Sequence, residues 1–542
     1  MRVLFLYPSI DCPAGINHGL AAMSGVLKAH GHDTKLLHVC EKLWPIPSYD
    51  DLNTLVRDYD PGIIGFSAMS QQYDWCISMA QQLDRDFDIP TVVGGVHCTM
   101  VPDEVTADGH FDFVCVGEGE LAMLDLVNKI EAEEDPTAVP NMRIPVNRHE
   151  KVMGRVPSLV APSGALEEPI VNPVGAFPLL TELPPKDYEL FDLDHIIRVR
   201  NGWMGMLTSR GCPYKCTYCF NKEIVDRYLE DGAADKGKDY LRHYEIERII
   251  DEIKVLKANY PHMKTLIFDD DLFTLNRPYV KEFCQAYIDA EINLPFVVNA
   301  HVQKFDEEMA ENLSKAGCMI VKYGLESGSD EIRRNVLWRY MTNDKIEASF
   351  QAAHKFDLHT SAFVMFALPH ESWEQIQETI RLCARVKMGR FRWAIFFPFP
   401  GTAGHRITME ADLIDPVKAK GMGNYFDGSC LKFGDEHDLL IEKLGKCFHW
   451  WVNAETDWPT APFYRNLIHE LEAMSREEWD LVKDTIQDRD REVSEEFMAQ
   501  GLPHYSVRYS HVMAVHSDFV EWERRQVANA GQGDNLGSYS LD

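Results

Sequence analysis

No stretch of the 542-residue chain approaches the roughly 18 consecutive apolar residues that cross a bilayer. The opening segment, MRVLFLYPSIDCPAG, has an apolar run of only about six residues, short for the apolar region of a signal peptide. Dense Lys/Arg stretches are missing too. With 54 Lys and Arg against 85 Asp and Glu, the formal charge is -31, which disfavours nucleic acid or an anionic membrane as partner. No G-x-G-x-x-G follows the first strand-like run, so a dinucleotide site is not expected. Most of the thirteen cysteines sit singly inside apolar segments, as Cys76, Cys98, Cys115, Cys284, Cys318 and Cys383 do. Such residues behave as small buried hydrophobes in a reducing compartment, so we expect a cytoplasmic protein without disulfides.

What is present supports packed cores: 45% hydrophobic and 11% aromatic residues over a length that allows about three to four domains. Residues 1–135 alternate apolar runs with helical patterns. RVLFLYP, TKLLHV, GIIGFSA, PTVVGG and FDFVCVGEGE read as strands, which predicts a doubly wound parallel sheet of about five. Ligands of such sheets sit at the strands' carboxyl ends. There the sequence places a long loop from Pro8 to Gly19, then Ser67, Gly94-Gly95 and the GEGE of 117–120. Glycines at those ends permit close approach to a large ligand, although each alone also suits an ordinary tight turn.

Residues 136–200 are proline-rich and lack a sustained period. They cannot hold long helices, but Val156, Leu159, Ile170, Leu179 and Leu180 suggest a linker draped over its neighbours. From 201 to 405 a second βα series supplies six strands, which fits a partial α/β barrel. Residues 406–542 read as a helical region. Trp450, Trp451, Trp458 and Phe463 suit a packed cap better than an active-site cover, and NAGQGDNLGSYSLD at the end reads as disordered.

The chemistry concentrates in SRGCPYKCTYCFNK, on the loop after the first barrel strand. Cys212, Cys216 and Cys219 form C-x3-C-x2-C. Three thiolates on a compact loop can each take one iron of a [4Fe–4S] cube. Zinc, or a complete cluster with a distant fourth ligand such as Cys430 or Cys447, is the structural alternative.

This loop, with Tyr218 before the third cysteine, closely resembles the radical S-adenosylmethionine (SAM) superfamily. FDDDLF, YGLESGSDEI, FALPHES and FPFPGT resemble later strand-end motifs of the same family, FALPHES departing at Ala367 and His370 from a glycine-containing pattern. VVGGVHCTMVPDEVTADGHFDFVCVGEGE resembles the cobalamin-binding domain that precedes many of these enzymes. The resemblance implies a [4Fe–4S] cluster on the three cysteines, its fourth iron left for SAM. It places Tyr218, Asp270, Asp271, Glu326, Ser327 and Arg339 around SAM, and Ser67, Gly94, Gly95, Glu118 and Gly119 around cobalamin. The family's D-x-H-x-x-G loop reads DCPAGI here, with Pro13 and Ile16 in place of His and Gly, so no axial histidine is expected from it. His18 and His97 are substitutes to consider.

By the same resemblance the chain is a cobalamin-dependent radical SAM enzyme, B12-dependent methyltransferase-like. It would transfer a methyl group from methylcobalamin to an unactivated carbon or phosphinate phosphorus of a small-molecule substrate. Its electrons would come from an external one-electron reductant such as flavodoxin or ferredoxin. The alternatives are a cobalamin radical SAM enzyme that cyclises, oxidises or rearranges its substrate, or an iron–sulfur electron-transfer or regulatory protein.

Overall fold

A computed structural model describes residues 1–155, 167–421, 428–510 and 513–516. Val3, Leu4, Phe5 and Leu6 of β1 (Arg2–Pro8) are all buried. A strand apolar on both faces needs cover on both, and helices supply it. The helix His18–Ala29 starts where Asn17 accepts a hydrogen bond from Leu20 N, and Ser48 and Asp51 form a capping box for Tyr49–Tyr59. The other strands of this first sheet are β2 (Asp33–Val39), β3 (Ile63–Ser67), β4 (Thr91–Gly94), β5 (Phe113–Cys115), β6 (Met142–Ile144) and β7 (Ile170–Val171). Their order is β2-β1-β3-β4-β5-β6-β7. The five expected strands run parallel, while β6 and β7 add antiparallel. Both extra strands come from the proline-rich stretch. The chain reverses its direction of winding between β1 and β3, which opens a crevice at their carboxyl ends.

The second domain starts with β8 (Trp203–Met206), followed by a small ribbon of β9 (Ser209–Arg210) and β10 (Arg242–His243). Then come β11 (Thr265–Phe268), β12 (Phe296–Ala300), β13 (Cys318–Glu326), β14 (His359–Phe366) and β15 (Arg390–Ile395). The six long strands pair in parallel in the order β8-β11-β12-β13-β14-β15, the expected partial barrel. A hairpin, β16 (Tyr505–Ser510) and β17 (Met513–His516), adds antiparallel to β15. The sequence reading had this segment in a helical region. It is a strand because Tyr505, Val507 and Tyr509 alternate with polar residues, a period-2 pattern that the sequence reading passed over, and the β15 edge provides a partner.

The tail is otherwise helical. Its longest helix, Asp435–Ala454, packs on the outer face of the barrel, where Trp393 Nε1 donates to Gly445 O at 2.8 Å and Phe366 stacks on Phe448. Trp450 and Trp451 are buried in that core, and Trp458 packs against Tyr505. They build the cap.

The linker is laced down on both sides. Arg248 donates to the carbonyls of Leu180, Leu183 and Pro184, and Lys28 pairs with Asp187 at 2.7 Å. Leu180 is buried, Ile170 half-buried and Leu179 exposed. Val156, Leu159 and the 529–542 stretch lie outside the described residues. Among the described residues no helix is long and apolar enough to cross a membrane.

Candidate functional site

Four supports hold the cysteine loop. The β9–β10 ribbon fixes its entry. Gly211 then turns at φ +98°, where a Cβ would lie 2.4 Å from Tyr240 O, so only glycine fits. Asp271 accepts from Gly211 N at 3.1 Å. Tyr214 stacks on His301 with ring centroids 3.9 Å apart, and Thr217 donates through N and Oγ1 to Leu337 O and Val336 O. Cys212, Cys216 and Cys219 are free thiols on this loop. Burial pushes Cys212 and Cys219 up to about 12, so binding iron there must displace protons.

Three free thiols on one compact loop match in number the irons that a cube leaves to the protein when its fourth is open. Among the described residues no three His, Cys, Asp or Glu side chains close on one point, as the ligands of one zinc ion do. A cube asks for less convergence, because each thiolate binds its own iron. Cys447 lies beside Asp490 in the helical cap. Cys430 sits in an apolar cluster with Leu368 and Phe396 and feels Lys418 and Asp415. The Cys430 cluster packs against Tyr218, but among the described residues no interaction ties either cysteine to the three loop thiols.

Beside the loop, four polar groups from distant segments meet. Arg339 Nη1 donates to Cys216 Sγ at 3.4 Å and to Tyr218 Oη at 3.2 Å. Tyr218 in turn donates to Glu326 Oε1 at 2.9 Å, and Arg339 Nη2 donates to Gly324 O at 2.6 Å. Glu326 ends β13 in the left-handed region at φ +64°, a conformation that costs a non-glycine residue about 1 kcal/mol. Burial raises its carboxyl, against the pull of Arg339 and Tyr218. Burial would lower Arg339, but Tyr218, Cys216 and Glu326 more than reverse it, so the guanidinium stays charged. Arg339 Nε is buried without a protein partner. A buried donor left unmade costs ~1–3 kcal/mol, and a ligand carboxylate would satisfy it.

The remaining residues expected around SAM have other partners. Both oxygens of Asp270 accept hydrogen bonds from Thr208, and Ser209 Oγ donates to one of them. Burial pushes Asp270 up to about 6. Asp270 therefore braces the start of the cysteine loop. Ser327 is fully buried, with Oγ against Thr379 Oγ1 at 3.2 Å, and holds the turn after β13. Asp271 accepts from Gly211 N, and its charge is felt by Cys212 and Cys219.

A cavity of about 430 Å³ joins the two domains. Ser67, Gly94, Gly95, Glu118 and Gly119 line it from the first sheet; Leu207, Arg210, Phe220, Tyr240 and Asp271 line it from the second domain. Its floor is apolar, with Phe5, Phe66, Val92 and Met123. Gly95 has φ +103°, and a Cβ there would lie 2.6 Å from Ala68 O. A glycine rim over an apolar floor at the sheet's switch point suits a broad, flat cofactor.

Glu118 lines this cavity, but its charge is used elsewhere. Its carboxylate pairs with Arg210 at 2.9 Å and with Arg242, while Glu120 takes the other side of Arg210 at 2.6 Å. Burial would raise Glu118, yet Arg210 and Arg242 hold it below the usual range. The result is a buried clamp between the first sheet and the entry of the cysteine loop. Sequence reading missed Arg210 and Arg242. The pair of acids in GEGE was the only signal, and its partners lie 92 and 124 residues away.

The two histidines differ. His97 hydrogen-bonds with Ser70 Oγ at 3.0 Å, its ring packs on Tyr73, and it is not in the cavity wall. His18 is in the wall, with Nε2 3.7 Å from Asp269 Oδ2 and Nδ1 buried without a partner. Burial lowers the pKa of both.

Comparison with known proteins places these features. Residues 206–383 match the radical SAM superfamily, and residues 14–127 match the B12 binding domain. The chain is 25% identical to an uncharacterised methyltransferase of Pyrococcus horikoshii, over 74% of this chain and 82% of the relative. It is 24% identical to the anaerobic magnesium-protoporphyrin IX monomethyl ester cyclase of Rubrivivax gelatinosus, over 74% and 68%. Among solved structures it resembles the radical S-adenosylmethionine methyltransferase TsrM of Kitasatospora setae, with cobalamin and a [4Fe–4S] cluster bound. That likeness has a TM-score of 0.58 and 19% identity, over 77% of this chain and 79% of that one.

Proposed function

The chain belongs to the cobalamin-binding radical SAM superfamily, and from that premise we propose that it methylates an unactivated carbon or a phosphinate phosphorus of a small molecule. Its cofactors are a [4Fe–4S] cluster, S-adenosylmethionine and cobalamin. The observation that carries the proposal is the shared cavity: one space is walled by Ser67 and Gly94 at one end and by Asp271 and Phe220 of the cysteine-loop region at the other. Two cofactors that act in turn on one substrate need such a common space.

When bound, the cluster with SAM supplies hydrogen-abstracting radical chemistry, and the corrinoid supplies the methyl group. The protein's part is to position and to exclude water. Cys212, Cys216 and Cys219 hold the cluster. Arg339, Glu326 and Tyr218 hold the polar end of SAM, with Asp270, Asp271 and Ser327 shaping the loops around it. Ser67, Gly94, Gly95 and Gly119 seat the corrinoid, while Glu118 keeps the two halves together through Arg210 and Arg242. Electrons come from a small one-electron donor such as flavodoxin or ferredoxin, and the thirteen free cysteines suit a reducing cytoplasm.

Cyclisation is the second reading, favoured by the cyclase relative. Product mass decides between them. Protein reconstituted anaerobically with iron, sulfide, cobalamin, SAM and reductant is incubated with a metabolite extract and followed by mass spectrometry. A SAM-dependent product heavier by one CH2 supports methylation. Products of unchanged carbon count overturn it.

A further inference from the structure

The inner face of the barrel carries a charge pattern that the cofactor sites leave unused. Register sets Lys322 of β13 beside Ser361 of β14, Ser361 beside Arg390 of β15, and Phe363 beside Arg392. Residues in register share a face, and alternate residues take the other. The alternate set faces the outer helices: Tyr323 donates to Ser349 O, and Trp393 donates to Gly445 O. Lys322, Arg390 and Arg392 therefore face the concave side, half-buried. Arg200 reaches the same space from the turn before β8, with Nη1 3.6 Å from where a Cβ on the inward Gly205 would sit.

Among the described residues, Lys322 and Arg392 meet little negative charge. The carboxylate that Lys322 feels most is Asp269, which lies 3.7 Å from His18 and also feels Lys322 and Arg200, so one acid serves several cations. Burial pushes Lys322 down to about 8. Arg390, Arg392 and Arg200 push the same way, which shows how closely the cations crowd. Arg392 feels burial and Arg390 but no acid. Among the described residues neither the Lys322 nor the Arg392 side chain has a hydrogen bond or an ion pair. Half-buried cations that outnumber the acid beside them are costly, and an anion that arrives with the ligand relieves that cost.

We propose that Lys322 and Arg392, with added charge from Arg390 and Arg200, anchor an oxyanion group of the substrate, a phosphate or a carboxylate. The place fits the need. Lys322 lies two residues before Gly324, whose carbonyl binds Arg339, and four before Glu326. On the other side, Asp269 touches His18 in the wall of the shared cavity. An anion held at Lys322 suspends the rest of the molecule between the SAM quartet and the corrinoid cavity. The anchor rests on the enzymatic reading above for its purpose, but its existence can be measured without turnover.

The test is calorimetric titration of the reconstituted protein with inorganic phosphate and, separately, with acetate. The wild type is expected to bind at least one. Lys322→Met and Arg392→Met should each weaken that binding about tenfold or more, as loss of a charge-assisted hydrogen bond does. Iron and cobalamin contents should stay at wild-type levels. Arg392→Lys should recover part of the loss and serves if Arg392→Met does not fold. Tighter binding of phosphate assigns a phosphoryl group, and tighter binding of acetate a carboxylate. A wild type that binds neither, or binding that survives both substitutions, overturns the anchor. SAM cleavage by the same preparation separates the two proposals. Cleavage without anion binding removes the anchor alone, and anion binding without cleavage removes the enzymatic reading and leaves the anchor standing.

Discussion

The guanidinium of Arg339 touches the thiol of Cys216, 123 residues away in sequence and 3.4 Å away in space. The same group also reaches Tyr218 Oη and Gly324 O. A planar fork can serve three acceptors at fixed angles, whereas an ammonium is a point charge on a flexible stem. Arg339→Lys should therefore weaken SAM binding by about tenfold or more while the three thiols keep their iron. Equilibrium binding of SAM to the reconstituted variant reads the first part, and iron analysis the second. Unchanged SAM affinity would remove Arg339 from the site.

The cluster itself gives a sharper division. Cys212→Ala, Cys216→Ala and Cys219→Ala should each lose the brown absorbance and most of the bound iron. Cys430→Ala and Cys447→Ala should keep both, because among the described residues no interaction ties either one to the three loop thiols. Loss of iron from either distant variant would mean that the chain supplies a fourth ligand, and the open iron for SAM would disappear with it.

Much of this was readable because the elements are local. Five parallel strands and then six followed from apolar runs whose burial on two faces leaves a continuous pattern. The cysteine loop was readable from spacing. The hairpin β16–β17 was legible only in the alternation of YSVRYS, and its pairing partner, the β15 edge, lies far away in the chain. Asp270 and Ser327 turn to Thr208 and Thr379, since a strand-end motif fixes a backbone position and says little about what the side chain meets. Ala367 and His370, where the family pattern has glycine, hold left-handed backbone at φ +58° and +63°. Two non-glycine residues therefore carry backbone strain in this loop. The Glu118 clamp and the inner-face cations depend on which strands become neighbours, which no single segment encodes.

Glu371 gives a pH signature. It is 3% exposed, with Leu368 N donating to Oε2 at 3.1 Å and Oε1 without a protein partner. Burial pushes its carboxyl up to about 8, against the backbone N–H groups of Leu368 and Ala367. The folded value lies above an unfolded value of about 4.3, so the folded chain holds this proton more tightly. The stability it contributes is full below the unfolded value and is lost as pH rises through about 8. Glu371→Gln keeps the acceptor and removes the titration. Thermal midpoints of wild type and variant should match most closely near about pH 5 and diverge toward about pH 9, with the wild type falling faster. Parallel curves would show that Glu371 is ionised in the fold.

The corrinoid cavity needs a variant that blocks space without breaking the loop. Gly95 is unsuitable: at φ +103°, with Ala68 O 2.6 Å from any Cβ, a larger residue strains the backbone before it meets a ligand. Ser67 is better placed. It ends β3, accepts a hydrogen bond from Asn17 Nδ2 at 3.2 Å and lines the cavity. Losing that one hydrogen bond costs about 1 kcal/mol, a small part of domain stability. Ser67→Trp puts an indole where the cofactor would lie. The variant should fold, bind little cobalamin by its visible absorbance, and keep its cluster iron. Methylated product should fall with the cobalamin, because the cysteine loop and the sheet end open into one cavity and the substrate must meet both. A folded Ser67→Trp protein without cobalamin that still forms product at the wild-type rate would mean that the first sheet takes no part in the chemistry, which would then belong to the barrel alone.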